Sequence, residues 1–254
     1  ASDVYKRQIL KRTVCELFLF FKSFSVFKGG IPSMFIPIDY EHWDRKEIYD
    51  AFHGYLYCMT VELDITEFLK KIHENHWKFY PSMCYCIAKT VNGHQDYRYA
   101  KINGQVGYFD QVNPHYTLLR TNSNHLFTHQ WTDYSEDFAA FHKQFLEDKV
   151  LGEACETLYY PKEDDLNNVH ISIMPNTTYT ALSYSKPDSF THYNTPTVSY
   201  VPFVMIGKYH EVDGRVKIPI TTEFHHAVND GYHAEQFFHL LEDAAGNSDD
   251  QNIL

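Results

Sequence analysis

Residues 216–245, VKIPITTEFHHAVNDGYHAEQFFHLLEDAA, decide how the chain is read. Val216 to Phe224 is rich in β-branched and aromatic residues with rough alternation, the pattern of a half-buried strand. Phe237, Leu240, Leu241 and Ala244 follow at i, i+3, i+4 and i+7, the stripe of an amphipathic helix. Between the two, His225, His226, Asp230, Gly231 and His233 crowd into nine residues. A strand-to-helix junction turns the chain sharply and aims side chains at a cleft, so function is sought there first.

Three chemistries fit that knot. The histidines are structural if Asp230 caps the helix and Gly231 eases a tight turn. His226, Asp230 and His233 are metal-type side chains, but the metalloprotease helix sets two His at i and i+4 around a Glu. Here the i+4 residue from His226 is Asp230, so no metal is expected. One imidazole is a general base if it takes a proton from a hydroxyl, since histidine titrates near operating pH. The block HHAVNDG, His225 to Gly231, resembles the HHxxxDG signature of the chloramphenicol acetyltransferase family, whose catalytic base is the second His, here His226. The wider HxxxD pattern also occurs in dihydrolipoyl acyltransferase cores and other CoA-dependent acyltransferases, so the rest of the chain has to carry the narrower reading.

A chain of 254 residues suits one domain with a sizeable core. The family-like pattern begins near Met34, so residues 1–33 are expected to be an N-terminal extension outside the fold and residues 34–254 a single domain. The 20 Tyr and 19 Phe can fill a large core, an aromatic-lined pocket, or both. A net charge of −11, with acids spread along the chain, argues against nucleic acid and membrane partners, which need a basic stripe. Five cysteines form an odd set without a C-x-x-C pair, which argues against a disulfide framework or a zinc ribbon and for a cytoplasmic protein. In LKRTVCELFLFFKSFSVF basic residues precede an apolar run, but Lys22 interrupts it, no small-residue cleavage site follows, and it is too short to span a bilayer.

From Met34 the segment FIPIDYEHWDRKEIYDAF resembles the family's opening, with its W-x-R at Trp43 to Arg45. YLYCMTVEL, residues 55–63, reads as a strand, and DITEFLKKIHENH as a helix capped near Asp64 or Thr66. WKFYPSMCYCIAKTVN reads as a second helix, with Pro81 in its first turn and Met83, Ile87 and Val91 on one face. Residues 104–119 are expected to carry two short strands around a turn at Asn113 and Pro114. Ser135 to Val150 reads as an amphipathic helix with acids in its first turn and Phe138, Phe141 and Phe145 inward. VHISIMP reads as a strand that resembles the family's N-I-S-A-x-P segment, and VPFVMIGKY, residues 201–209, with HEVDGR as turn, is expected to form a hairpin with the signature strand. The polar tail GNSDDQNIL is expected to fray.

The resemblance spans roughly Met34 to Ala245. It implies an α/β two-layer sandwich, a mostly antiparallel mixed sheet flanked by helices, assembled as a homotrimer with each active site at a subunit boundary. It implies transfer of acetyl from acetyl-CoA to a small hydroxyl acceptor, chloramphenicol. The family's roles fall on His226 as base, with Nδ1 held by its own carbonyl, on Ser172 as donor to the oxyanion, and on Arg45 and Asp230 as the ion pair that locks the loop. Lys78, Lys208 and Tyr209 fall on positions near CoA. Phe52, His115, Leu126, Tyr159, His170, Leu182, Tyr184 and Met205 fall on acceptor-pocket positions.

Departures concentrate in that pocket. Met205 replaces a family Thr, His170 an Asn, His115 a Gln, Asn229 a Cys and Asn176 a Trp, and Phe52 to Tyr57 is shorter than the family's loop. Acetyl transfer to another small alcohol or amine, and a non-catalytic trimer that binds CoA or an aromatic ligand, are the alternatives the altered pocket leaves open.

Overall fold

The computed structural model describes residues 34–160, 166–184 and 195–247; the expected extension and the tail beyond Asn247 lie outside the described residues. Strand β11 (Arg215–His225) is the axis of the larger sheet. It is buried from Ile218 to His225, as its dense run of β-branched and apolar residues requires. One edge pairs antiparallel with β9 (Phe203–Ile206). β10 (His210–Val212) continues that edge, pairing antiparallel with Arg215–Lys217, and β2 (Leu56–Asp64) pairs antiparallel along the whole of the other edge. Pro219 falls where the first edge passes from β9 to β10, a gap in the ladder that tolerates its missing N–H. Its carbonyl accepts from Gly207, and its nitrogen faces the same edge, just short of the paired stretch that begins at Ile220.

Beyond β9 come β7 (Asn168–Ile173) and β5 (Asn113–Leu119), each parallel to its predecessor, and then β6 (Phe127–Trp131), antiparallel. Asn113 and Pro114, expected as a turn, are strand residues paired with Asn168 and Val169. The chain instead turns between Asp110 and Val112, and Pro114 is tolerated because it stands near the start of its strand.

A second, four-stranded antiparallel sheet joins β1 (Phe35–Pro37), β4 (Gln105–Phe109), β3 (Tyr99–Ile102) and β8 (Val198–Ser199) in that order. The expectation of one sheet is therefore corrected. Strands of three and two residues, as β1 and β8 are, carry no readable alternation. The β3–β4 and β10–β11 hairpins close through Asn103–Gly104 and Asp213–Gly214, all at positive φ, the N-G and D-G loops of type I′ turns. The expected hairpin with the signature strand is thus present: β9 and β10 follow one another along one edge of β11, and the turn falls at Asp213–Gly214.

Among the described residues five helices pack on this frame: α1 (Lys46–Phe52), α2 (Thr66–Glu74), α3 (Phe79–Gly93), α4 (Phe138–Glu153) and α5 (Gly231–Glu242). Helix α2 contacts β11, α3 contacts β5 and β7, α4 contacts β5 and β6, and α5 contacts β2. Asp64 accepts from both the backbone N–H and the hydroxyl of Thr66 at the start of α2. Helix α4 begins three residues later than expected because Asp137 caps it, accepting from Ala140 N–H. Its Phe138, Phe141 and Phe145 are buried as expected, and Phe145 stacks on Tyr116 of β5 with ring centroids 4.0 Å apart. Phe68, Met83, Ile87, Val204, Phe224 and Phe237 join α2, α3, β9, β11 and α5 into one core. No helix among the described residues is long and apolar enough to cross a membrane.

Candidate active site

The residues between the end of β11 and the start of α5 are held from three sides. Arg45, at the start of α1, donates from Nε to the Ala227 carbonyl (2.9 Å), from Nη2 to the His226 carbonyl (3.4 Å) and from Nη1 to Asp230 Oδ2 (3.1 Å). Asp230 caps α5 in turn: Oδ1 accepts from Tyr232 N–H and lies 2.8 Å from His233 Nδ1. That ring nitrogen is also 3.3 Å from Asp230 N, but it cannot both donate and accept, and beside an ionised carboxylate it donates. Below the loop, Ala227 and Val228 are buried against Trp43, Tyr49, Tyr99 and Tyr200, and Asn229 donates to the Asp96 carbonyl at 2.9 Å. Tyr57 donates its hydroxyl to the Asp230 carbonyl, also at 2.9 Å.

The Arg45–Asp230 pair implied by the resemblance is therefore present. Burial raises the Asp230 carboxyl, but hydrogen bonds and charge from His233 and Arg45 outweigh it and lower its pKa to about 2. Its contribution to stability is complete above the ordinary carboxylate pKa of about 4 and is lost as pH falls through the depressed value. Arg45→Ala and Asp230→Ala are each expected to cost on the order of 1–2 kcal/mol in urea unfolding, with activity falling alongside. Because each truncation strands the other's charge, the double variant is expected to lose less than the summed singles, by a coupling of about 0.5–3 kcal/mol. Additive losses would mean that the two side chains act independently.

His226 is half-buried, with its ring stacked on Phe52 (centroids 4.2 Å apart, planes 12° apart) and met edge-on by Tyr57 at 5.6 Å. Its Nδ1 is buried with no hydrogen-bond partner among the described residues, which corrects the expectation that its own carbonyl holds it. That carbonyl accepts from Arg45, and the stacking on Phe52 sets the ring plane instead. His225 turns away, buried with its ring 5.3 Å from Tyr200.

Within one chain, Ser172 does not meet His226. Ser172 lies opposite Met205, and Met205 opposite Thr221, whereas His225 is four residues further along β11. At about 3.3 Å per residue and about 4.8 Å per strand, Ser172 and His225 are roughly 16 Å apart, more than their side chains can close. The expected acceptor-pocket residues divide the same way. Phe52 lies on His226, and Leu182 and Tyr184 line an open cavity of about 610 Å³ with Tyr57 and Glu223. Burial raises the Glu223 carboxyl there. Met205 is buried beside Ser172, and His115 lies 4.5 Å from His170 and 6.5 Å from Tyr159 by ring centroids. Leu126 is exposed just before β6.

Next to His115 and His170 stands a residue the sequence reading passes over, His129. Burial, with His170 and His129 adding to it, lowers the His115 imidazole to about 2. Of the expected CoA contacts, Lys78 caps α3 and Lys208 is exposed at the end of β9. Tyr209 packs on Phe79, the neighbour of Lys78, with centroids 5.6 Å apart, so Lys78 and Tyr209 share one surface.

A mixed sheet carries HHAVNDG at a locked strand-to-helix junction, and comparison with known proteins makes this chain an acyltransferase and gives its family. The chloramphenicol acetyltransferase family model matches residues 33–242. Chloramphenicol acetyltransferases of Clostridium butyricum and Proteus mirabilis are 32% identical over 214 residues and 31% identical over 212, in each case covering 82% of this chain and 93% of the relative. A solved chloramphenicol acetyltransferase superposes with a TM-score of 0.68 at 20% identity, over 83% of this chain and 99% of its own. A probable dihydrolipoamide acetyltransferase from Listeria monocytogenes superposes at 0.55 and 10% identity, over 88% of this chain and 98% of its own, a likeness of fold. The chain belongs to the chloramphenicol acetyltransferase family.

Proposed function

We propose that this protein transfers acetyl from acetyl-CoA to a hydroxyl of chloramphenicol, at sites shared between the subunits of a homotrimer. His226 Nε2 takes the hydroxyl proton, and the oxygen attacks the thioester carbonyl. Ser172 Oγ donates to the oxyanion of the tetrahedral intermediate. Collapse breaks the carbon–sulfur bond, and the departing thiolate takes the proton from the imidazolium, giving the acetyl ester and free CoA. Asp230 does not polarise the base; with Arg45 it holds the loop. Lys78, Lys208 and Tyr209 line the CoA approach. Phe52, His115, Leu126, Tyr159, His170, Leu182, Tyr184 and Met205 contribute to the acceptor pocket. Residues 34–254 form one catalytic domain, and free, buried Cys84 and Cys86 support a cytoplasmic setting.

The observation that carries the reading is the separation of base and oxyanion donor. One reacting centre needs both within hydrogen-bond reach, yet in one chain Ser172 stands roughly 16 Å by strand spacing from His225, the residue before the base. A surface carrying the base at one end and the donor at another is heterologous, and such surfaces close into rings; a ring of three is what family membership supports.

The test is co-expression of His226→Ala and Ser172→Ala chains. Sites that draw their base from one chain and their donor from the next are expected to recover activity at roughly a quarter of positions by random assortment, far above either variant alone. A mixture no more active than the better variant, or an active monomer by light scattering, would contradict the shared site. Acceptor identity is read separately, by thiol release from acetyl-CoA with and without chloramphenicol. Release with other small alcohols but not with chloramphenicol would move the acceptor assignment to the alternative.

A further inference from the structure

Away from the base, three histidines on three adjacent strands converge: His115 on β5, His129 on β6 and His170 on β7. The sheet register puts them on one face. His170 lies directly opposite His115, and His129 lies opposite Thr117, two residues along from His115 and therefore on the same side. One ring nitrogen from each lies within 4.8 Å of the other two, and the His115 ring centroid is 4.5 Å from that of His170 and 5.1 Å from that of His129. His115 is 1% exposed, and neither of its ring nitrogens has a hydrogen-bond partner among the described residues.

A buried imidazole with both nitrogens unsatisfied is costly, and an apolar ring of similar shape would fill the space without that cost. The burial becomes favourable if a lone pair is given to a cation. We propose that His115, His129 and His170 form a three-imidazole site for a divalent transition-metal ion of the zinc class.

The donor set fits that class: imidazole suits zinc, cobalt, nickel and copper, whereas magnesium and calcium take oxygen. Tetrahedral zinc with bonds of about 2.0–2.1 Å holds its ligand nitrogens about 3.3 Å apart. The rings must therefore draw together slightly. Strand pairing fixes the backbones, so the half-buried His129 and exposed His170 make that adjustment by side-chain rotation around a fixed His115. Their exposure also gives the ion a path from solvent. Tyr159, stacked on His129 at 5.1 Å, and Trp131, edge-on to His115 at 5.7 Å, wall the cluster with aromatic rings. Three protein ligands leave a fourth position open to water or another small ligand.

The test uses the full, untagged chain stripped with a chelator, because the sequence holds 16 histidines and a tag would mask a site among them. Zinc chloride is titrated by calorimetry and cobalt chloride by visible absorption, without acetyl-CoA or acceptor, so the result is independent of the acetyl-transfer reading. The expected result is one ion per chain at micromolar metal, with the intense visible bands of four-coordinate cobalt. His115→Ala and the exposed-site variant His170→Ala are each expected to weaken binding by more than about 100-fold, beyond the loss typical of residues that only orient a ligand, while His73→Ala on the surface leaves it intact. His170→Ala keeps the test decisive if His115→Ala fails to fold. No saturable binding by the wild type, or unchanged binding by a folded His170→Ala chain, would overturn the site.

Discussion

His226→Ala is expected to reduce acceptor-dependent thiol release from acetyl-CoA by about 10²–10⁴-fold, the range a positioned general base supplies. Among the described residues, none of those packed on the ring or next to it in sequence can replace it. The ring rests against Phe52 and Tyr57, whose faces offer no base, and Tyr57 spends its hydroxyl proton on the Asp230 carbonyl. His225 is adjacent in sequence but buried against Tyr200 on the other side of the strand. Asp230 is already committed to Arg45, His233 and the α5 N-terminus. The expected loss falls on kcat rather than on acetyl-CoA affinity, because the imidazole acts on the acceptor proton. Comparable rates for wild type and variant would remove His226 from the mechanism, and the assay needs only a thiol reagent and the two substrates.

What the sequence discloses is local. The strand, knot and helix of residues 216–245 appear as β11, a locked loop and α5 because their signals lie within one continuous segment. The aromatic face of α4 shows for the same reason, and the three-residue error at its start arises because Glu136 and Asp137 look like first-turn acids when Asp137 is the cap. Long-range pairing leaves far less trace. Asn113 and Pro114 have turn chemistry but lie in a strand, because β7, more than fifty residues later, supplies the pairing. The smaller sheet depends on β1 and β8, too short to show a period. Arg45 and Asp230 are 185 positions apart, and only the family signature joins them before the fold does. His129 shows the limit most clearly. Its alternating neighbours are visible, but its place beside His115 requires the β5–β6 register, in which Leu119 faces Phe127 and Thr117 faces His129.

Ser172→Ala is expected to lower kcat by about 10²-fold while leaving KM for acetyl-CoA nearly unchanged, since an oxyanion donor meets charge that develops only in the transition state. The placement favours this over a bland strand serine. Ser172 is half-buried on β7 one residue beyond the buried Ile171, so its hydroxyl lies on the sheet face opposite that core side chain and on the same face as His170. Its neighbour across the ladder, Met205, is buried and offers only a weakly accepting sulfur where the family has a hydroxyl. Two opposing effects follow: the donor loses a polar partner that could orient it, yet the site becomes drier and each remaining hydrogen bond to developing charge strengthens. Met205→Thr separates them, because a kcat gain lost again in the Ser172→Ala background would show that orientation dominates. If Ser172 served only the strand, its replacement would shift stability by about 1 kcal/mol and kcat hardly at all. A folded Ser172→Ala protein with kcat within about twofold of wild type would therefore leave the oxyanion without its assigned donor.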